Sequence, residues 1–418
     1  MNTESLRKAE VVVIGGGAAG MMAALTAGER GKSVILLEPN NKLGRKLRIT
    51  GKGRCNCTNN CSVKEFLENV PTNPKFLMSA LHAFPPEKVM DFFESIGVPL
   101  KTERGNRVFP VSDSANELAD CLAAAMHVAG VSVNKTRARA LCVEDGSIVG
   151  VKTADDGTIE CDAVIVATGG KSYPLTGSKG DGYTLAQACG HRISEPKASL
   201  VPLESPDDFC SELAGFAPRN VTLSVYENGK LIFKELGEML FAHFGVTGPL
   251  VLSASCHMHD FGTKKYELFI DFKPALDEQK LDERILRDFA RFANRDFGNA
   301  LDELAAKSFI PVLVRMSGIP ADKKVHSVTK QERKTLVSLL KAFPVQVTGP
   351  RPIDEAIVTS GGVDVKEIDP RTMQSKLVGG LYFAGEVLDV DAYTGGFNLQ
   401  IAWSTGRCAG LHAGKDAE

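Results

Sequence analysis

Apolar β-branched runs that end in glycine-rich turns mark both ends of this chain, whereas part of its middle alternates apolar and polar positions with a period of two. Residues 11–14, Val-Val-Val-Ile, are the continuous apolar run of a strand buried in a parallel sheet. Small residues with helical character follow at 18–27, and 33–37 form a second apolar strand. From 63 the pattern turns helical. Helices are predicted over 86–96, with Pro86 in the first turn, and over 114–129, which Ser112 and Asp113 can cap. Short strands are predicted at 131–133, 138–144, 148–152, 159–160 and 163–167, with Asp145-Gly146 and Asp156-Gly157 as hairpin turns. A helix follows at 179–188.

Past Gly190, strands at 201–203, 221–227, 231–234 and 266–272 alternate as in an antiparallel unit, with a turn at Asn228-Gly229 and a helix at 250–257. Residues 281–292, 301–307, 311–316 and 330–340 have helical spacing. The end of the chain repeats the pattern of its beginning, since a strand at 379–383 runs into Gly385-Glu386 and a last helix opens from Thr394 and continues to Ala413. The fold class is therefore α/β. A discontinuous Rossmann-like domain spans 1–190 and 345–418, and an inserted domain spans 191–344, β-rich and barrel-like to about 275 and helical from about 276.

Gly15, Gly17 and Gly20 stand in G-x-G-x-x-G spacing directly after the first strand. Gly15 permits the tight turn, Gly17 lets the backbone approach a pyrophosphate, and Gly20 lets the helix pack on the sheet. That helix begins at Ala18, so its unpaired N–H groups and positive dipole end face the phosphates. Glu38 ends the second strand, where a dinucleotide fold needs an acceptor for ribose hydroxyls; an acid there favours a free hydroxyl over a 2′-phosphate. The following segment carries Lys42, Arg45, Lys46, Arg48, Lys52 and Arg54 among four glycines, so it can offer cations and backbone N–H groups to a long anionic cofactor. Thr168-Gly169-Gly170 returns the backbone to the carboxyl edge of the sheet. The final helix opens with Thr394-Gly-Gly-Phe-Asn398-Leu399-Gln400, a second N-terminus suited to the electron-rich edge of a flavin. Gly177-x-x-Gly180-x-Gly182 has the wrong spacing and no clear strand before it, so no dedicated nicotinamide domain is expected.

Composition changes this picture little. The chain of 418 residues, 43% hydrophobic and 24% charged, has the make-up of a soluble globular protein of two or three domains. A net charge of −2 gives no global argument for nucleic acid or an anionic membrane. No apolar run reaches transmembrane length, and the opening MNTESLRKAE has no apolar signal region. Ten cysteines without a secretion signal fit reduced thiols and a cytoplasmic location. Cys55, Cys57 and Cys61 form C-x-C-x3-C but lack a second ligand pair, so no metal is expected. Their basic neighbours permit a redox role; packing is the reading adopted.

Longer stretches carry a resemblance. LGRKLRITGKGRCNCTN, GNRVFP, TGSKGDGY, FAHFGVTGP and GEVLDVDAYTGGFNLQIAWSTGR are similar to the BaiN-type family, also labelled the aminoacetone-oxidase family, within the two-dinucleotide-binding-domain flavoproteins. The resemblance runs from about residue 10 to 412. It implies an FAD-dependent oxidoreductase. Gly15, Gly17, Ala18 and Gly20 would meet the pyrophosphate and Glu38 the adenosine ribose, while Lys46, Arg54 and Asn56 would lie along the cofactor's middle. Thr168 and Gly169 would flank the ribityl or adenosine side. Gly385, Glu386, Asn398, Leu399 and Gln400 would line the pyrophosphate-to-flavin end, and the backbone at Arg139 would approach adenine. Gly51-Lys52-Gly53, Ala242 and Ala392 depart from residues frequent in relatives, at positions that bear on substrate.

The activity so implied is reduction of an activated C=C bond in an enone, steroid-like or other small molecule, with NADH or NADPH as transient donor. His243 and Tyr393 are candidate proton donors: histidine titrates near neutrality, and Tyr393 adjoins the Thr-Gly-Gly turn. Three alternatives stand beside it: an amine or aminoketone oxidase, a reductase forming dihydrouridine in ribosomal RNA, for which RNA would be the partner, and a non-catalytic FAD-binding sensor or interaction protein.

Overall fold

The computed structural model describes residues 8–155 and 157–414. Residues 1–7, the larger part of the opening MNTESLRKAE, Asp156 of the Asp156-Gly157 turn, and residues 415–418 lie outside the described residues. The chain divides into two compact units, Met1–Ser199 with Ile353–Glu418, and Leu200–Pro352.

Among the described residues, the first unit is built on a seven-stranded sheet. The strand Lys8–Ile14 is central, with Val34–Leu37 on one side and Thr158–Val166 on the other, both parallel to it. Ser132–Asn134 extends the first side, again in parallel. Thr158–Val166 is one continuous strand where the sequence suggests two. Burial alternates over its first half and is unbroken over its second, so the apolar signal splits while the backbone does not. The first half pairs antiparallel with Ser147–Thr153, itself hairpinned to Ala138–Glu144. The second half pairs in parallel with Leu381–Phe383, contributed by the far end of the chain.

Two helices lie together on this sheet: Ala18–Glu29 and Phe397–His412, the latter shorter at its start than expected. Their approach is set by glycine. A Cβ on Gly406 would stand 2.4 Å from the Ala19 carbonyl oxygen, and one on Gly410 2.4 Å from that of Ala23. Trp403, fully buried, donates its indole N–H to the Cys57 carbonyl at 2.9 Å.

Other differences from the sequence reading have local causes. The basic segment after Glu38 contains a short helix, Arg45–Ile49, entered through Gly44 in the left-handed region. Ile193–Ser199 and Val358–Val363 form an antiparallel pair that periodicity misses. Pro196 lies within the register shift between Ser194 and Lys197, and Gly361 and Gly362 carry φ of 86° and 137°, so neither segment reads as a strand. Residues 301–307 are turns rather than a helix.

Among the described residues, the second unit holds two four-stranded sheets where a barrel-like part is expected. One orders Leu240–Ala242, Gly245–Thr247, Leu203–Glu204 and Gly349–Pro350; the other orders Lys230–Gly237, Val221–Glu227, Tyr266–Asp271 and Phe343–Gln346. Helices Glu278–Arg291, Ile310–Ser317 and Lys330–Lys341 follow, the last started by a Thr329–Glu332 capping box.

Buried His191 in the first unit gives acid sensitivity a specific source. Its ring nitrogens face Glu367 at 3.2 Å and Ser375 Oγ at 2.9 Å, and its ring meets Phe383 edge-on. Burial is the larger effect and holds the imidazole below its ordinary value, with Glu367 acting the other way. This contribution is therefore fully present above about pH 6.5 and is lost as pH falls toward the depressed folded value, because the unfolded chain protonates first. The melting temperature is expected to drop between about pH 7 and 5, and His191→Gln to flatten that part of the profile in calorimetry.

Candidate functional site

Four parallel neighbours bring the candidate residues to one edge. Ile14 pairs with Leu37 and with Val166, and Val166 pairs with Phe383, so these strands end side by side. Their next residues are Gly15, Glu38, Ala167-Thr168 and Ala384-Gly385-Glu386. Segments far apart in sequence thus share one carboxyl edge, where open α/β sheets hold ligands.

The turn glycines are required by contact. Gly15, at φ +105°, leaves 2.5 Å between a built Cβ and the Ala167 carbonyl oxygen. A Cβ on Gly20 would be 1.8 Å from the Gly15 carbonyl oxygen, which seats the helix on the turn. A Cβ on Gly17 would meet nothing within 4 Å. Space is therefore open at the helix start, beside Ala18, and closed behind it. Gly169, at φ +73°, abuts Ser178, and a Cβ on Gly385 would be 2.7 Å from that of Ala19.

Charged groups frame the edge. Glu38 accepts from the Gly16 N–H at 2.9 Å and from the Asn40 backbone and side-chain N–H groups at 2.8 and 2.7 Å. Lys46 Nζ donates to both Glu386 oxygens, at 3.0 and 2.8 Å, and to Ser172 Oγ at 2.7 Å. Glu386 also accepts from the Thr359 N–H at 2.9 Å, and Thr359 Oγ1 receives the Lys171 and Ser172 N–H groups. Sequence reading misses Ser172 and Thr359, because only the tertiary fold brings them to Glu386.

The remaining predicted residues are placed as follows. Arg54 binds Glu103 at 2.5 Å and Asp113 at 2.6 Å, with its guanidinium 4.2 Å from the Phe109 ring centroid. Arg139 is exposed at an irregularity of the Ala138–Glu144 strand. Asn398 holds the preceding loop, accepting from the Ala392 N–H at 3.0 Å and donating to the Ala392 and Tyr393 carbonyls. Leu399 is half-buried at the helix start. The Gln400 side chain is fully buried, accepting from Thr58 Oγ1 at 2.6 Å and donating to Phe84 O and Ser404 Oγ at 2.9 Å. Half-buried Tyr393 donates its backbone N–H to Asn69 O. His243 belongs to the second unit, exposed between Leu240–Ala242 and Gly245–Thr247.

Among the described residues, three buried polar atoms of the first unit have no hydrogen-bond partner: Asn56 Oδ1, Thr168 Oγ1 and Tyr183 Oη. Buried polar atoms are normally satisfied, so this trio suits a polar ligand in contact with them. The sequence motifs single out Asn56 and Thr168, whereas Tyr183 is only the last letter of TGSKGDGY. With the open space at Gly17 and two helix N-termini, the residues fit a bound dinucleotide.

All ten cysteines are free thiols. Cys55 and Cys57 are fully buried. Burial pushes the Cys55 thiol far up, Cys57 to about 12 and Cys61 to about 11. Thiol reagents at neutral pH are expected to leave Cys55 and Cys57 unlabelled in the native protein and to label both after denaturation, as mass spectrometry would read. Among the described residues no group of three or more His, Cys, Asp or Glu could hold a metal ion, and no helix is long and apolar enough to cross a membrane.

The fold is the mixed α/β, parallel Rossmann-type one of FAD-dependent oxidoreductases with inserted domains, and the family match places the chain among those enzymes. The chain belongs to the HI0933-like family of flavoproteins: the family description, HI0933-like protein Rossmann domain, matches residues 9–412. It is 31% identical over 405 residues to a ribosomal RNA dihydrouridine synthase of Escherichia coli, covering 96% of both chains. It is 29% identical over 406 residues to a 3-dehydro-bile acid delta(4,6)-reductase of Clostridium scindens, covering 96% of this chain and 98% of the other. In fold it is similar to a 3-ketosteroid-delta4-(5alpha)-dehydrogenase from Rhodococcus jostii, with a TM-score of 0.55 at 16% identity over 98% of this chain and 97% of that one.

Proposed function

We propose that this protein is an NAD(P)H-driven reductase of a C=C bond conjugated to a carbonyl, acting on an enone, steroid-like or other small molecule in the cytoplasm. The observation that carries this reading is a shared chemistry. A delta(4,6)-reductase and a dihydrouridine synthase, each similar over 96% of this chain, are both named for saturating a conjugated C=C bond. When bound, FAD supplies the two-electron redox chemistry. The chain's own residues bind and orient it. Gly15, Gly17, Ala18 and Gly20 would hold the pyrophosphate, which the open space at Gly17 supports. Glu38 would hold the adenosine ribose with the Oε2 lone pair that Gly16 and Asn40 leave free. Lys46, Arg54 and Asn56 would follow the cofactor's middle, Thr168 and Gly169 its ribityl or adenosine side, and the Arg139 backbone the adenine. Gly385, Glu386 and the helix start at Asn398, Leu399 and Gln400 would meet the flavin end. Here the Gln400 side chain acts by fixing the helix to Thr58 and Phe84. Tyr393 and His243 are the proposed proton donors, and substrate selection is assigned to the second unit.

A second reading, in which the acceptor is uridine in ribosomal RNA, is favoured by the 31% identity to the Escherichia coli enzyme. The test is anaerobic mixing of the purified flavoprotein with NADH or NADPH, followed by an enone or by ribosomal RNA. Prompt bleaching of the flavin, then reoxidation by the enone, is the expected result. Reoxidation by ribosomal RNA alone would select the second reading. A flavin that stays oxidised with both nicotinamides would overturn the donor and bring amine substrates with oxygen forward.

A further inference from the structure

The second unit contains an open pocket of about 170 Å³ whose lining includes three phenylalanines and two cations. Phe216, Phe272 and Phe309 all line it. Phe216 lies nearly parallel to Phe309, at 18° and 5.8 Å between centroids, and to Phe272, at 20° and 6.5 Å. Lys273, Arg219 and Asn220 supply the polar part of the lining. Arg219 and Asn220 are exposed, so they form the mouth; Lys273 is half-buried.

Neither cation has a carboxylate partner among the described residues. The adjacent Asp271 is engaged elsewhere: its carboxylate pairs with Lys341 Nζ at 2.6 Å and accepts the Lys273 backbone N–H at 2.8 Å. Burial, and to a lesser degree the like charge of Arg284, which itself lies 3.8 Å from Asp288, lower the Lys273 ammonium below its ordinary value. A half-buried cation beside another cation is destabilised until an anion joins it. Size narrows the class of anion. An apolar cavity of about 150 Å³ accepts one benzene ring, so this one admits a single six-membered ring with one or two small substituents.

We propose that this cavity binds a monocyclic aromatic carboxylate of benzoate or pyridine-carboxylate size, its ring against the Phe216 face and its carboxylate between Lys273 and Arg219. The aromatic faces favour a flat ring over a puckered one of equal charge. The lysine and arginine favour a carboxylate over a neutral substituent. The site is distinct in composition from the glycine-rich edge of the first unit and does not depend on the proposed reductase activity.

The test uses the intact flavin-loaded protein and 4-fluorobenzoate followed by fluorine NMR, since the sole tryptophan, Trp403, lies in the other unit. Saturable broadening of the probe signal is expected. Lys273→Met should weaken binding at least tenfold, and Arg219→Gln, at an exposed position, severalfold, both with unchanged flavin spectrum and melting temperature. Cyclohexanecarboxylate and benzyl alcohol should compete at least tenfold more weakly than benzoate. No saturable broadening would overturn the proposal. So would equal affinity in both variants, or cyclohexanecarboxylate competing as well as benzoate.

Discussion

Gly20→Ala is expected to emerge from purification with little bound flavin and a lowered melting temperature. The added methyl group would sit 1.8 Å from the Gly15 carbonyl oxygen, 3.0 Å from its carbon and 3.3 Å from the Ala167 Cβ. Two of these three are backbone atoms, so no side-chain rotation relieves the overlap. Gly15 is itself confined, with the Ala167 carbonyl 2.5 Å from where its own Cβ would be. The helix Ala18–Glu29 must then lift from the turn, at a cost of about 1–3 kcal/mol or more for an overpacked contact. The lifted helix carries its N-terminus away from the sheet edge, so cofactor retention falls with stability. Gly17→Ala is the control that separates the two effects. Its Cβ would have open space, and its φ of −82° suits any residue, so its flavin-stripped form should melt like the flavin-stripped parent while flavin occupancy falls. Visible absorbance per protein and a thermal melt read both. A Gly20→Ala protein with full flavin and the parental melting temperature would refute the contact argument.

Gly406→Leu is expected to be the most destabilising change in the closing helix, by about 3 kcal/mol or more, at the upper end of overpacking effects. Its Cβ would lie 2.4 Å from the Ala19 carbonyl oxygen and 3.1 Å from the carbonyl carbon. One turn on, Gly410 repeats the contact at Ala23, with the Thr26 Cβ at 2.8 Å as well. The two helices therefore cross backbone to backbone over more than one turn. Forcing them apart also loosens what the closing helix anchors: the Thr405 hydroxyl that receives the Gly385 N–H at 2.9 Å, and the Trp403 bond to Cys57. Denaturant unfolding would measure the loss. Gly406→Leu with Gly410→Ala should fall short of the sum of the singles, because once the helices have separated the second methyl meets less resistance. An unfolding midpoint unchanged in Gly406→Leu would mean that the helices can part freely.

What rests on local pattern is legible in the sequence. Residues 11–14, the glycine spacing and the acid at Glu38 announce the parallel edge, because a continuous apolar run, a positive-φ turn and a strand-terminal acid are each readable within a few residues. Elements that rest on long-range pairing are hidden. Ile193–Ser199 looks polar and broken by Pro196, yet becomes a strand because Val358–Val363 offers it an edge. The candidate site divides in the same way. Thr168 and Gly385 follow visible strands. That Glu386 gathers Lys46, Ser172 and Thr359, that Arg54 is engaged by Glu103 and Asp113, and that the Gln400 amide faces Thr58 and Phe84, depends on partners no local pattern predicts. Tyr183 Oη shows the limit: nothing in its neighbours announces a buried hydroxyl left without a partner.

The pair formed by Ile193–Ser199 and Val358–Val363 has a consequence for engineering. Its final register places Ser199 opposite Val358. The chain therefore leaves the first unit and re-enters it at one point, as a hairpin does around its turn. A tight two-residue linker from Ser199 to Val358 has the geometry of an ordinary β-hairpin connection. A chain trimmed there is expected to keep the glycine-rich sheet edge, and flavin retained by the trimmed protein is the measurement that checks it.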